Sequence, residues 1–409
     1  VLEQALAIPQ EVDMGTAGKR LDLRDKLIFT IDGDDAKDFD DAVSLEKMEN
    51  GHYLLGVHIA DVSHYVRPGS ALDAEAFARG TSVYYADSVI PMLPRQLSNG
   101  ICSLNEGADR LAFSCMMELD AAGRVVDYAF VKSVIRSRVK GVYKEVNAIF
   151  DGTADNALRQ RYAAVAQELP LMRELYHKLA KLRAARGAMD IESGEAKLVL
   201  DEAGRCVDVV KRERGEAEQM IEEFMLLANS SAAALARRLK LPFVYRVHEA
   251  PDPERIEKLK QTLTAAGVDF HFAGDTPTTL ELAKLLADTR GTNLERPVHT
   301  SVLRSMAKAK YEPQPKGHFG LALADYAHFT SPLSGPCHPP YPFRRLRGYG
   351  RRRGAEKICA VRGRSIGAVL RARGAGHDGG ARCGGLLQGR IHAPLRGRGI
   401  RRRDLVDHA

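Results

Sequence analysis

Long apolar runs are missing from this chain, and that absence excludes a whole class of proteins. No stretch of about 18 apolar residues occurs, so a membrane-spanning helix is not expected. The first residues, Val1-Leu2-Glu3-Gln4, carry neither a basic n-region nor an apolar h-region, so no secretory signal is read there. The chain opens on Val and not Met, which suggests a fragment or a processed start with domains upstream. Cys-x-x-Cys pairs are missing as well. The six cysteines (Cys102, Cys115, Cys206, Cys337, Cys359, Cys383) are scattered, which argues against a zinc site of the usual spacing and against a disulfide framework. Reduced thiols in a cytosol are the expectation. Aromatic residues are few, 6%, within a hydrophobic fraction of 44% that suits a soluble globular protein. The 409 residues suffice for two or three domains, or one large domain with appendages.

Positive charge is present but misleadingly placed. The chain carries a net +7. Residues 333–409 hold 17 Arg and one Lys against four acidic groups, a net +14, so the preceding 332 residues carry −7. A nucleic-acid reading of the body must therefore rest on local placement of charge. The same 77 residues hold 15 of the 36 glycines and three of the six cysteines. They show no sustained period of 2 or 3.6, and too few clustered apolar groups to offset chain entropy. Two readings stand: an arginine- and glycine-rich RNA-binding tail, or a tail translated out of frame.

Ahead of that tail the pattern is mixed. Residues 1–25 are polar and helix-like, and Leu27-Ile28-Phe29-Thr30-Ile31 has strand character, as does Tyr53 to Ala60. Ala112 to Leu119 and Val125 to Val131 flank the turn Asp120-Ala121-Ala122-Gly123 and predict a hairpin. Residues 154–186 and 216–239 carry helical periodicity, and Pro251-Asp252-Pro253-Glu254 opens a further helix. The fold class expected is α+β, with a strand-rich first half and a helix-rich second half.

The most informative stretch packs six aspartates into ten positions: Asp32, Asp34, Asp35, Asp38, Asp40 and Asp41. Carboxylates this dense repel one another and raise each other's pKa unless a cation relieves them. A hard divalent ion such as Mg²⁺ takes oxygen ligands and keeps waters for chemistry. An EF-hand is excluded, because the register D-x-[DN]-x-[DN]-G is not met and no Glu falls twelfth. Gly33 allows close backbone approach and Phe39 anchors the loop inward, which favours a built site over a solvated acidic turn.

Asp32-x₅-Asp38-Phe39-Asp40-Asp41-Ala42-Val43 resembles the aspartate signature of the ribonuclease II/ribonuclease R family, the RNB catalytic domain, and its ribonuclease R branch most. Further motifs occur in the family's order over about residues 20–332. They include Gly80-Thr81-Ser82-Val83-Tyr84, Leu97-Ser98-Asn99-Gly100-Ile101-Cys102-Ser103-Leu104-Asn105, Ile221 to Asn229, Tyr245-Arg246-Val247-His248-Glu249 and His328-Phe329-Thr330-Ser331-Pro332. The resemblance implies an RNB-type fold over 21–332 after a lead-in of 1–20, with a separate tail of 333–409. It implies a 3′→5′ exoribonuclease that hydrolyses single-stranded RNA from its 3′ end to 5′-nucleoside monophosphates. Asp32, Asp38 and Asp41 would hold Mg²⁺, and Asp40 would be the carboxylate on which the chemistry most depends. Tyr84 would stack near the final nucleotide, since a flat ring holds any base without reading its identity. A monomer in the cytoplasm is expected, with other RNA-decay proteins as possible partners.

Several residues stay ambiguous. His58, in the apolar context Val57-His58-Ile59, reads as a core histidine. His328 is a candidate for shaping the RNA path. Arg304 and Arg246 suit phosphate contacts or ion pairs with neighbouring Glu about equally, and Lys308 and Lys310 extend a weak basic face. Two departures from the family pattern matter. Ile191 stands where the family has a base-clamping phenylalanine, and an aliphatic side chain cannot stack as an aromatic does. Leu333-Ser334-Gly335 stands where the family has Ile-Arg-Arg, whose arginine grips a phosphate. Codons CCT-ATC-CGG read one base out of register become CTA-TCC-GG, or Leu-Ser-Gly, so a frameshift after Pro332 is the preferred reading of the tail. The rival to the enzyme is a non-catalytic RNA-binding protein acting through its Arg/Gly-rich tail, and a nuclease acting on another polymer is a third possibility.

Overall fold

A computed structural model describes residues 1–15, 18, 20–85, 88–190, 196–201, 205–211 and 214–333. Ile191 and the tail from Ser334 onward, with the frameshift and disorder expected there, lie outside the described residues.

The first half builds the main sheet. Its strands are β1 (Leu21–Asp22), β2 (Ile28–Asp32), β3 (Asp41–Lys47) and β4 (Tyr53–Ala60). A small hairpin of β5 (Val83–Tyr84) and β6 (Val89–Ile90) intervenes before β7 (Asp109–Leu119) and β8 (Val125–Val142). The spatial order is β1-β8-β2-β3-β4-β7, and β8 also pairs β7. The pairings thus run in a ring, with the 18 residues of β8 serving both ends of the sheet. Every residue of β4 is buried, which explains its apolar run: both faces of that strand are covered. On one face Phe29, Val43, Leu55, Val57, Phe113 and Phe130 form the largest core. On the other Ile28, Phe39, Ala42, Leu54, Ala112 and Val131 form a second core with Leu97, Ile101 and Leu104.

One irregularity in β8 decides which way its last residues face. Ile28 pairs with Ser137 but Thr30 pairs with Lys140, so β8 carries an extra residue there. Alternation therefore changes phase: even-numbered Phe130 and odd-numbered Val139 both reach the first core. Beyond the bulge Gly141 lets β8 lie close against β2, since a Cβ there would stand 2.5 Å from the Thr30 carbonyl oxygen.

Helices keep to the expected division. Among the described residues, α1 (Leu2–Leu6) is the only helix within the first 25, so most of the described lead-in is not helical. Two short helices, α2 (Val62–Tyr65) and α3 (Ala71–Arg79), come after β4. α4 (Tyr143–Phe150), α5 (Asn156–Arg161), α6 (Glu168–Ala185) and α7 (Glu216–Arg238) come next, the last burying Met220, Ile221, Phe224 and Ala228 against the first core. A hairpin of β9 (Ala196–Leu200) and β10 (Cys206–Lys211) separates α6 from α7, where no strand was anticipated. α8 (Pro253–Ala265) starts where proline placed it, with Asp252 accepting from Glu254 N at the N-cap. It packs with α9 (Thr279–Thr289) and α10 (Glu295–Ser305) around a third core. β11 (Tyr245–Val247) and β12 (Lys310–Glu312) pair beside it.

Candidate active site

Antiparallel pairing brings the aspartates together. β2 ends at Asp32 and β3 begins at Asp41, with Phe29 opposite Val43, so the intervening loop returns to the place it left. The loop is clamped by buried contacts. Phe39 is 4% exposed in the second core. Its N–H donates to Ser103 Oγ at 2.9 Å and its carbonyl accepts from Leu104 N at 3.0 Å. Ser103 is held in turn, its carbonyl accepting from Arg110 Nε at 2.8 Å. The Asp40 carbonyl accepts from Ala60 N at 2.9 Å, while its Oδ1 accepts from Leu333 N at 2.8 Å. Phe39 between two acids is therefore a fixed pivot, as its apolar ring suggested.

The electrostatics are those of crowded, partly desolvated acids. Burial, followed by repulsion from Asp41, Asp40 and Asp38, lifts the Asp32 carboxyl well above the usual carboxylate range, with Lys140 opposing. Burial lifts Asp41 likewise. Asp38 is raised by burial, partly offset by the Tyr84 hydroxyl, which donates to its Oδ2 at 3.2 Å. Asp32 Oδ2 is buried without a hydrogen-bond partner. An orphaned buried oxygen among mutually repelling carboxylates suits a hard cation bound through one or two carboxylates and waters. The fit stops short of a finished cage: among the described residues no three His, Cys, Asp or Glu side chains converge to hold a metal by themselves. Asp34, at the loop's outer edge, is taken by Lys144 Nζ at 2.7 Å.

The other sequence-selected residues fall in different places. Tyr84, on β5, joins the aspartate site through Asp38 and is 58% exposed. His58 is a core histidine, bonded to Ser44 Oγ at 3.0 Å and Ser114 Oγ at 2.8 Å, with burial pulling its pKa down to about 3. His328 accepts from or donates to the Tyr311 hydroxyl at 2.7 Å, and burial, then Arg246, lowers it to about 4. Five residues on, Leu333 touches Asp40, so the segment of His328 leads into the acid site. Arg246 lies over the Tyr311 ring, 4.6 Å from its centroid. Arg304 is exposed near the end of α10, and among the described residues no hydrogen bond or ion pair ties it to the aspartate loop. Lys310 pairs with Glu249 at 2.8 Å and Glu312 at 2.7 Å, which explains why it forms no open basic face.

Three supports were given no role by the sequence, although Ser103 and Asn229 stand in its motifs. Ser103 clamps the loop. Asn229, buried on α7, accepts from Phe329 N at 2.6 Å and Thr330 N at 3.1 Å, fixing the segment that leads to Leu333 and Asp40. Lys140 stands beside the acids on β8. Of these, Asn229 carried a legible signal, because an amide on the buried face of a helix requires a partner.

A match to the RNB domain spans residues 20–334, and the chain belongs to the RNB-domain family. Among curated proteins, ribonuclease R of Thermotoga maritima is 51% identical over 334 residues, covering 81% of this chain and 46% of that protein. Among solved structures, Mycoplasma genitalium RNase R in complex with ribose-methylated single-stranded RNA superposes with a TM-score of 0.75 at 29% identity, covering 81% of this chain and 51% of that one. Yeast Ssd1, described as a pseudonuclease, gives a TM-score of 0.64 at 18% identity over 80% of this chain and 40% of its own, a likeness of fold alone. The chain thus spans about half the length, or less, of these relatives.

Proposed function

We propose that this chain carries the catalytic body of a 3′→5′ exoribonuclease that hydrolyses single-stranded RNA to 5′-nucleoside monophosphates with Mg²⁺. The observation that carries the reading is the buried, unpartnered Asp32 carboxylate oxygen amid Asp38, Asp40 and Asp41, in a chain of the RNB-domain family. Asp32, Asp38 and Asp41 would hold the ion, directly or through water. When bound, Mg²⁺ supplies Lewis acidity to the scissile phosphate and to an attacking water. Asp40, gripped through its carbonyl and its Oδ1, presents the carboxylate most needed by the chemistry, and its fixed backbone keeps that group in register with the terminal phosphate. Tyr84 offers an exposed ring on which the last base stacks, its hydroxyl steadied by Asp38. His328 and Arg304 are assigned to the RNA path. With Leu333-Ser334-Gly335 where the family has its phosphate-gripping arginine, turnover is weaker than in the relatives. We place the protein, as a monomer, in the cytoplasm.

A second reading is favoured by the Ssd1 likeness, which shows this fold in a pseudonuclease: an RNA binder without turnover, working through its Arg/Gly-rich tail. Incubation of 5′-labelled single-stranded RNA with Mg²⁺ separates the two. Progressive shortening from the 3′ end, abolished by Asp40→Asn, is the expected result. No cleavage at any metal concentration, with RNA binding lost on removal of residues 334–409, would establish the second reading.

A further inference from the structure

The acid site needs a cation that is not a metal, because RNA brings its own negative charge to a loop already crowded with it. Few basic side chains are placed to help. Lys144 is engaged by Asp34. Lys37 is exposed in the loop itself. Lys140 is different. The bulge in β8 puts it opposite Thr30, two residues before Asp32 on the neighbouring strand, and on the face that carries Phe39. Its backbone N–H donates to Glu106 Oε2 at 3.0 Å, which pins the strand at that point. Its ammonium lies over the Phe39 ring, 5.1 Å from the centroid, and that ring sits between Asp38 and Asp40. Among the described residues no ion pair ties its Nζ to a carboxylate, although Asp32, Asp38, Asp40 and Asp41 crowd the site beside it. An ammonium held on an aromatic face, and not neutralised by an adjacent carboxylate, keeps donors available for an incoming anion.

We infer that Lys140 is a phosphate-binding residue of the RNA site, a basic group set against the aspartates by the β8 bulge and held in place by the Phe39 ring. The inference rests on the proposed RNA-degrading function, and it supplies that function with a basic contact independent of the arginine replaced after Pro332. Lys140 would meet a non-bridging phosphate oxygen close to the RNA 3′ end, while the aspartates attend to the metal.

The test measures binding of a labelled single-stranded oligoadenylate to the full chain in EDTA, as a function of salt. Removing one phosphate contact lowers the slope of log K against log salt by about 0.7 for a single strand. Lys140→Met is expected to show that loss, with affinity at low salt falling about tenfold, while Lys140→Arg retains both. Thermal melting verifies that the variants fold, and Mn²⁺ titration reports the acid loop separately. Lys140→Met with an unchanged RNA slope but altered Mn²⁺ affinity would overturn the proposal, showing that Lys140 only offsets the carboxylates. If the parent chain bound no RNA at all, the functional reading itself would fail, and this inference with it.

Discussion

Two desolvated aspartates at the ends of strands in the main sheet behave in opposite ways. Asp61, just past the end of β4, is fully buried, yet Arg20 Nη2 and Lys132 Nζ each reach its Oδ2 at 2.6 Å, and Ser63 donates to its Oδ1 at 2.7 Å. Burial alone would raise its pKa, but the two cations hold it well below the usual carboxylate range. Asp32, at the end of β2, has acids for neighbours and an unpartnered oxygen, and its pKa is driven the other way. The same residue type thus serves two purposes. Asp61 is a finished internal ion pair that ties the lead-in segment at Arg20 to the sheet. Asp32 is crowded by like charges, and its buried Oδ2 has no hydrogen-bond partner.

That contrast can be broken first at Asp61. Asp61→Ala leaves Arg20 and Lys132 uncompensated, and should cost about 3–5 kcal/mol in denaturant unfolding. A loss below about 1 kcal/mol would mean that water reaches the pair. The effect at Asp32 should have the opposite sign and smaller size. A carboxyl raised on folding binds more protons in the native state, so metal-free stability declines as pH rises above the unfolded value of about 4. Asp32→Asn in EDTA at about pH 8 should therefore gain on the order of 1–2 kcal/mol, and should lose the stabilisation that Mg²⁺ gives the parent. Melting curves with and without Mg²⁺ from about pH 5 to 8 read both, and a destabilised variant in EDTA would contradict the expectation. The smallest effect is expected at Ser103, which among the described residues makes no hydrogen bond to an acid side chain. Ser103→Ala removes the acceptor for Phe39 N–H, costing about 1 kcal/mol and loosening Mn²⁺ binding severalfold, with Ser103→Cys intermediate. Unaltered Mn²⁺ affinity would show that the loop holds its shape without that clamp.

The parts legible in the sequence are those encoded locally. The run Tyr53–Ala60 announced β4 to the residue, because burial on both faces leaves no polar alternation to blur its ends. Asp252-Pro253 announced the start of α8, because cap and proline act within one turn. The aspartates were legible by density, and the inward anchoring of Phe39 by its place between charges. What escaped depends on partners far along the chain. Ser103 meets Phe39 across 64 residues, and Asn229 meets Phe329 across 100. The hairpin of β9 and β10 escaped for another reason, since its Leu198, Val199, Val207 and Val209 are exposed and form no buried stripe. Lys140 was overlooked because its position depends on a bulge, and a bulge changes pairing without changing composition.

The extra residue in β8 also sets how the region can vary. Side chains after Ser137 reach their present faces only because one residue goes unmatched between the Ile28 and Thr30 pairings. Exchanging one residue type for another along β8 alters a single contact. Deleting a residue there would instead reverse every later side chain, turning Val139 away from the first core and Lys140 away from Phe39. Length, more than identity, is the quantity that this stretch must inherit unchanged.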